Sequence, residues 1–446
     1  MTKLTEWRGA LICVLLSLIV AIAVSKGPPY VVLIVLLLGT VVAFLQPLII
    51  IALPILFSPL LGQTGESMIG PLNAMAILGL WFLCLGGITI LLNFAEILKE
   101  RLIIILLALL ILTGTSLGPS HLKLVSLEEF VRMASAITML PLTYLFAREE
   151  SNRYKIVGFV YLSALLPILV GFYQIATGDV SQGPKVTALE SITGISRIYS
   201  TFYDVHPYAK YLLVLLPLPL AVMLLERRSI YVKICSFSAF AVLFINLIYT
   251  FARSQLIGFI LAGGFILQKL GKLRIRTILL IVPAILLLFS VTGTLERFRD
   301  VAVPVNLESA GPPENSLVSR LLIWKKALPL ALQKPFMGHG AATFEPDIGI
   351  EAHNDYLGLF YDLGIAAPLL YLLFLTTAAK STLTIYKNCK ISSFDRKLAL
   401  AMSGLSIAFI VVTAVENYIY STIMWWMYYA QLGCVLAAAK DELCEN

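Results

Sequence analysis

Residues 102–118 read LIIILLALLILTGTSLG, an uncharged run that follows Lys99, Glu100 and Arg101. It has no polar face to turn toward water, so its solvent is apolar on every side. A spanning helix needs roughly 20 mostly apolar residues, and working outward from this run the pattern recurs. About fourteen candidate spans can be drawn, at 9–25, 29–45, 47–61, 74–93, 102–118, 127–147, 155–176, 208–225, 230–251, 254–268, 277–294, 354–379, 398–415 and 419–439. The second and third lie close together and include Pro47 and Pro54. They read as one broken element or as two short helices, which gives 12–14 spans. The expected fold is all-α: a polytopic membrane helix bundle.

Composition agrees. Of 446 residues, 59% are hydrophobic and 13% charged, and the mean hydropathy is +0.90. Soluble domains run about 45–50% apolar and about 25% charged, and disordered chains are more polar still. The net charge of +7 fits basic loops on one side of a bilayer. No basic cluster interleaved with aromatics suggests a nucleic-acid groove, so no nucleic acid is expected. Cys13, Cys84, Cys235, Cys389, Cys434 and Cys444 form neither a disulfide framework nor a CxxC metal pair. No small-residue cleavage site precedes Lys26-Gly27-Pro28-Pro29, so 9–25 is expected to be an uncleaved span. Lys440-Asp441-Glu442-Leu443 is followed by Cys444-Glu445-Asn446 and is not a retention signal.

Placing the N-terminus with Lys3 and Arg8 in the cytoplasm puts about 20 of the 33 basic residues in inner loops, as the positive-inside rule requires. Both termini are then cytoplasmic, and His121, His206, His339 and His353 all fall outside. Two outer connections are long, about 177–207 and about 295–352, and long loops in tight bundles usually carry function. The chain divides into an N-terminal transmembrane bundle (1–176), a central region with an outer Arg loop (177–294), a large outer loop (295–352) and C-terminal helices (353–446). Within the large loop, Asn315-Ser316 is placed to cap an amphipathic helix through Arg320, Trp324, Lys325 and Leu328, lying along the interface. Pro335, Gly338 and Gly340 end it in a turn.

Three places hold residues suited to chemistry. His353-Asn354-Asp355-Tyr356-Leu357, followed by Gly364-Ile365, ends the large loop and opens a long apolar run. A helix N-terminus disfavours imidazolium, and a neutral imidazole at the water boundary accepts a proton from a hydroxyl. An interfacial histidine without a role is the plainer reading. Arg253 lies between two apolar runs with no acidic neighbour in sequence. A lone Arg at that depth meets an anion or a cavity, or snorkels to head groups. Arg197, in Ser196-Arg197-Ile198-Tyr199-Ser200-Thr201-Phe202, leads to His206-Pro207; by itself it reads as a solvated charge, and Arg320 reads the same way. Taken together, several arginines and a histidine at one face suit phosphate oxygens, and a lipid-linked pyrophosphate such as undecaprenyl-pyrophosphate sugar fits. Glu345-Pro346-Asp347 is a weak divalent-cation signal. His339 and His353 have no zinc spacing. No metal and no cofactor are expected.

The spacing Arg320-x3-Trp324, Pro335-x2-Gly338-x-Gly340-x3-Phe344, His353-Asn354-x-Tyr356-Leu357-x6-Gly364 resembles the central region of the O-antigen ligase and O-antigen polymerase superfamily. Arg253-Ser254 is similar to that family's membrane-boundary Arg, and Arg197 through Pro207 to its upstream Arg loop. One departure is Ser200-Thr201-Phe202, where many relatives have a glycine before the phenylalanine. The resemblance covers about 195–375. It implies metal-independent, inverting transfer of a glycan from undecaprenyl pyrophosphate on the periplasmic face of a bacterial inner membrane. His353 would be the base, and Arg253, Arg197 and Arg320 would hold the pyrophosphate. Asn354, Tyr356, Trp324 and His339 would support the acceptor side. Tyr199, Tyr203, Trp324 and Tyr356 are aromatics able to stack on sugars, though interfacial packing is their plainer role. The implied partners are the lipid-linked donor, a glycan or lipid A-core acceptor, the lipid bilayer and a chain-length regulator protein. A polymerase is slightly preferred to a ligase. A polysaccharide flippase is the rival from another class, but it calls for midplane charge and repeated halves. Glu416 sits at an outer helix end with no register to place it.

Overall fold

The computed structural model describes residues 30–61, 68–69, 72–178, 197–202, 204–272, 316–388 and 391–441. The expected spans 9–25 and 277–294, the outer loop as far as residue 315, and Tyr203 lie outside the described residues.

Every other expected span is helical. The helices are α1 (Tyr30–Leu45), α2 (Ile49–Phe57), α3 (Ala74–Leu92), α4 (Phe94–Ile97), α5 (Arg101–Thr115), α6 (Lys123–Phe146), α7 (Glu150–Leu162), α8 (Leu165–Thr177), α9 (Val205–Leu215), α10 (Pro217–Leu225), α11 (Ile230–Tyr249), α12 (Arg253–Lys269), α13 (Ser316–Ala331), α14 (Phe344–Ile348), α15 (Asp355–Leu363), α16 (Ala366–Lys387), α17 (Ser393–Val412) and α18 (Thr422–Asp441). A two-residue antiparallel ribbon, β1 (Met68–Ile69) with β2 (Leu72–Asn73), precedes α3.

Among the described residues, five segments are long and apolar enough to cross a membrane: Met75–Leu92, Glu150–Thr177, Val205–Leu225, Ile230–Tyr249 and Ala366–Lys387. The helices α6, α17 and α18 equal them in length, with 24, 20 and 20 residues. Two expected spans are broken by proline. Pro217 has no N–H to continue α9, so α10 starts there. Pro167 sits in the first turn of α8, where it is tolerated. The expected span 354–379 is also two helices, parted at Gly364 (φ +81°).

Val205–Leu225 is 78% buried and Ile230–Tyr249 only 17%, so α9–α10 runs through the middle of the bundle and α11 coats it. The α18 helix packs on α6, α16 on α17, and α17 on α12. Large rings fill the seam: Trp425, Trp426, Tyr428, Tyr371, Phe374 and Phe409 are fully buried. Their polar atoms are met, Trp426 Nε1 donating to Ser135 O (3.1 Å) and Tyr428 Oη lying 2.7 Å from Ser406 Oγ, as buried Trp and Tyr require.

Alternation of the helices gives the bundle two chemically different ends. One carries Glu96, Arg148, Arg153, Glu226, Asp395, Lys397 and Lys440, joined in ion pairs. The other carries His121, His206, Arg197, Arg253, His353 and Glu416.

Candidate functional site

The connection from α17 to α18, residues 413–421, holds Glu416, only 2% exposed. Its carboxylate is the centre of a cluster. Ser254 Oγ donates to Oε2 at 3.1 Å. His206 Nδ1 lies 3.3 Å from Oε2, His353 Nδ1 3.6 Å from Oε1, and a guanidinium nitrogen of Arg320 3.8 Å from Oε2. Burial alone would raise this carboxyl. The imidazoles of His206 and His353, with Lys210 behind them, outweigh burial and hold it well below the usual carboxylate range. Lys210 donates to the carbonyl of Asn417 and stands 5.2 Å over the Tyr418 ring.

Each partner is placed by its own element. His206 lies in the first turn of α9, which Asp204 caps by accepting from the Val205 amide. Asn354 caps α15 by accepting from Leu357 N (3.1 Å). The next residue, Asp355, is fixed to the Glu416 connection: its amide donates to Thr413 O (2.8 Å), and its carboxylate accepts from Tyr418 N (2.9 Å), Ile419 N and Tyr371 Oη. His353 is thereby held opposite Glu416. From α13, Arg320 reaches the carboxylate while Trp324 Nε1, one turn on, donates to Ala352 O (2.8 Å). The Arg197 segment runs beside the end of α11. Its Nε donates to Thr250 O (3.0 Å) and Ile198 N to Tyr249 O (3.2 Å). Arg253 opens α12, immediately before Ser254.

Among the described residues, four non-glycine residues have left-handed backbone: Ser200, Phe251, Ala342 and His353. His353 belongs to this cluster, and Ser200 and Phe251 lie on the segments that carry Arg197 and Arg253. Such residues cost about 1–3 kcal/mol each and persist only where surroundings over-determine them. Ser200 (φ +58°) is held by Gln174 Oε1, which accepts from its amide (2.8 Å), and by Pro167 O, which accepts from its hydroxyl. Serine here takes a conformation that glycine adopts more readily.

The structure therefore brings together His353, Arg320 and the Asn354 backbone, whose amide donates to Asn417 Oδ1 (3.2 Å), and it sets Arg197 and Arg253 on adjoining segments. One expectation is corrected, and the other candidates are placed as follows. His353 does not open a long apolar helix: it precedes the cap of the nine-residue α15, and its Nδ1 lies 3.6 Å from the Glu416 carboxylate. His339 is not brought to Glu416. Its ring stacks on Tyr361 (4.3 Å) and its Nε2 meets Leu330 O (3.1 Å). Tyr356 donates to Ile410 O inside the bundle, and the polar atom of Trp324 is taken by Ala352. Tyr199 is buried. Asp347 pairs with His121 (3.0 Å) and accepts from Tyr361 Oη. An apolar groove of about 490 Å³ between α5 and α16, lined by Ala108, Ile111, Leu369 and Leu373 among others, contains no member of the cluster. Sequence reasoning missed His206, although its position before Pro207 at the start of a span was a signal, and it saw Glu416 without placing it.

The glycines of the 335–364 spacing belong to the scaffold. Gly338 (φ +67°) and Gly364 (φ +81°) have backbone where a Cβ would meet Asp362 O at 2.2 Å and Phe336 O at 2.3 Å. Only glycine fits both demands. These contacts seat the large loop on α15.

The protein is thus a helical membrane bundle, one end of which gathers two imidazoles and a guanidinium around a buried carboxylate. Residues 238–372 match the family model described as O-antigen ligase, which supports the resemblance to the O-antigen ligase and polymerase superfamily. The match contains Arg253, Arg320, His339 and His353, while Arg197, His206 and Glu416 lie outside it. Comparison with curated proteins found no match.

Proposed function

We propose that this chain transfers a glycan en bloc from undecaprenyl pyrophosphate to a sugar hydroxyl, at the histidine-bearing end, facing the periplasm of a bacterial inner membrane. The supporting observation is the convergence of His353, His206 and Arg320 on Glu416, next to the segments of Arg197 and Arg253, in a chain of this family.

In this reading the acceptor oxygen bonds to the anomeric carbon while the bond from that carbon to the pyrophosphate oxygen breaks, with inversion. The hydroxyl proton goes to His353, and the electron pair leaves with the pyrophosphate. Arg253, Arg197 and Arg320 stabilise the charge growing there; one such preorganised donor typically contributes about 3–4 kcal/mol. No metal or cofactor takes part. A polymerase joins the growing chain to a fresh lipid-linked unit, and this is the reading preferred here. The ligase reading, with lipid A-core or another acceptor, is favoured by the description of the matched family model.

The test is transfer by the purified chain with EDTA present and two defined acceptors. A product ladder still attached to undecaprenyl pyrophosphate identifies a polymerase, and glycan on the core acceptor a ligase. No transfer to either acceptor would overturn the proposal. Orientation is tested separately by placing cysteine at Glu351, with the native cysteines replaced. Labelling by an impermeant maleimide from the periplasmic side is expected, and labelling only from the cytosol would reverse the topology.

A further inference from the structure

Glu416 faces two imidazoles at once, one on each carboxylate oxygen. Nδ1 of His353 and Nδ1 of His206 are both buried, and neither makes a hydrogen bond among the described residues. Yet the side chains are 27% and 33% exposed. The accessible edge of each ring is therefore the one away from Nδ1, which carries Nε2. A neutral imidazole has one N–H and one lone pair, and a carboxylate only accepts. The nitrogen beside Glu416 consequently takes the proton, and Nε2 keeps the lone pair. The separations of 3.3 and 3.6 Å are longer than a well-formed hydrogen bond, and apo contacts of catalytic groups often tighten only when substrate arrives.

Glu416 is also well anchored. Ser254 from α12 donates to it, and the residues on both sides of it, Thr413 and Tyr418, are bonded to Asp355. The groups facing the carboxylate are His206 and Lys210 from α9, Ser254 from α12, Arg320 from α13, and His353.

We infer that Glu416 is the positioning residue for His353: it fixes the Nδ1-protonated tautomer and turns Nε2 toward the acceptor hydroxyl, while His206 balances the second carboxylate oxygen. This rests on the proposed reading that His353 is the base. When the acceptor proton arrives on Nε2, the imidazolium keeps its Nδ1–H on Glu416, which stays ionised throughout.

The experiment uses the full chain in nanodiscs with a lipid-linked glycan donor and a defined acceptor, following kcat, KM and their pH profiles. Glu416→Gln is expected to lower kcat about tenfold or more, part of the about 10²–10⁴-fold that a general base supplies, and to leave the donor KM nearly unchanged. The acid limb of its kcat profile moves to lower pH, because the imidazolium has lost its counter-ion. Glu416→Asp recovers part of the rate. His206→Gln keeps the test open if Glu416→Gln fails to fold. Removing that competing N–H donor leaves the carboxylate to His353 alone and moves the acid limb the opposite way, to higher pH. An unmoved acid limb in the folded variants overturns the inference. If His353→Ala keeps full transfer, the proposed reading itself fails. If His353→Ala is inactive while Glu416→Gln is normal, only this inference fails.

Discussion

The two ends of the bundle use charge in opposite ways. At one end acids and bases are matched and tie helix ends together: Glu96 takes both Arg148 (2.5 Å) and Lys440 (3.2 Å), Arg153 meets Asp395 (3.2 Å), and Lys397 meets Glu226. These pairs join α4 to α18, α7 to α17 and α10 to α17. At the other end one buried carboxylate serves two imidazoles and a guanidinium, and three residues there have left-handed backbone. Matched pairs are scaffolding. In the proposed reading, the other end, where two imidazoles and a guanidinium share one carboxylate, is the one that receives an anion. Mutations at the two ends should therefore separate activity from stability.

The largest effect is expected from His353→Ala. If the cluster is chemical, glycan transfer falls about 10²–10⁴-fold while the melting temperature in detergent barely moves. A variant that melts much lower and loses activity only in proportion would make this end a scaffold like the other.

Arg153→Ala sharpens the comparison from the opposite side. Arg153 and Asp395 are 5% and 1% exposed, and Arg153 also donates to Ala147 O and Arg148 O. Removing one partner of a buried pair strands the other charge, at a cost of about 3–5 kcal/mol. Thermal melts should show that loss, while the folded fraction transfers glycan at the wild-type rate. Reduced kcat in the folded fraction would couple the two ends.

Next in size, Gly338→Ala and Gly364→Ala insert a Cβ against backbone oxygen in left-handed geometry. A loss of at least about 2 kcal/mol each is expected, read as a lower melting temperature. A near-neutral result would show that the large loop is not seated on α15 as described.

The bundle was legible because spanning helices need long uncharged runs, and nothing else in the chain imitates them. Breaks were less legible. Pro167 and Pro217 announce theirs, whereas Gly364 reads as an interruption only once Phe336 is known to lie against it. The motif around His353 was visible, but it mixed two roles: His353 and Arg320 face Glu416, while Gly338, Gly340 and Gly364 support the loop. His339, expected only in a supporting place, stacks on Tyr361. Glu416 and His206 escaped because their significance is purely spatial; 210 positions separate them, and only the return of α18 beside α6 and α9 joins them.

The smallest effect is expected from Glu96→Gln at the matched end. Hydrogen bonding to Arg148, with Lys440 adding to it, lowers the Glu96 carboxyl below its usual value despite some burial. A depressed carboxyl contributes stability that is fully present above its unfolded pKa of about 4.3 and is lost as pH falls through the lower folded value. The group is 33% exposed, so solvent screens the pair and the contribution is held to about 0.2–1 kcal/mol. Wild type and Glu96→Gln should therefore differ slightly in melting temperature at neutral pH and low salt. The difference should shrink in high salt and at acid pH, and glycan transfer should be the same for both. A large drop in transfer would show that charge at this end reaches the cluster around Glu416, and the division between the two ends would fall.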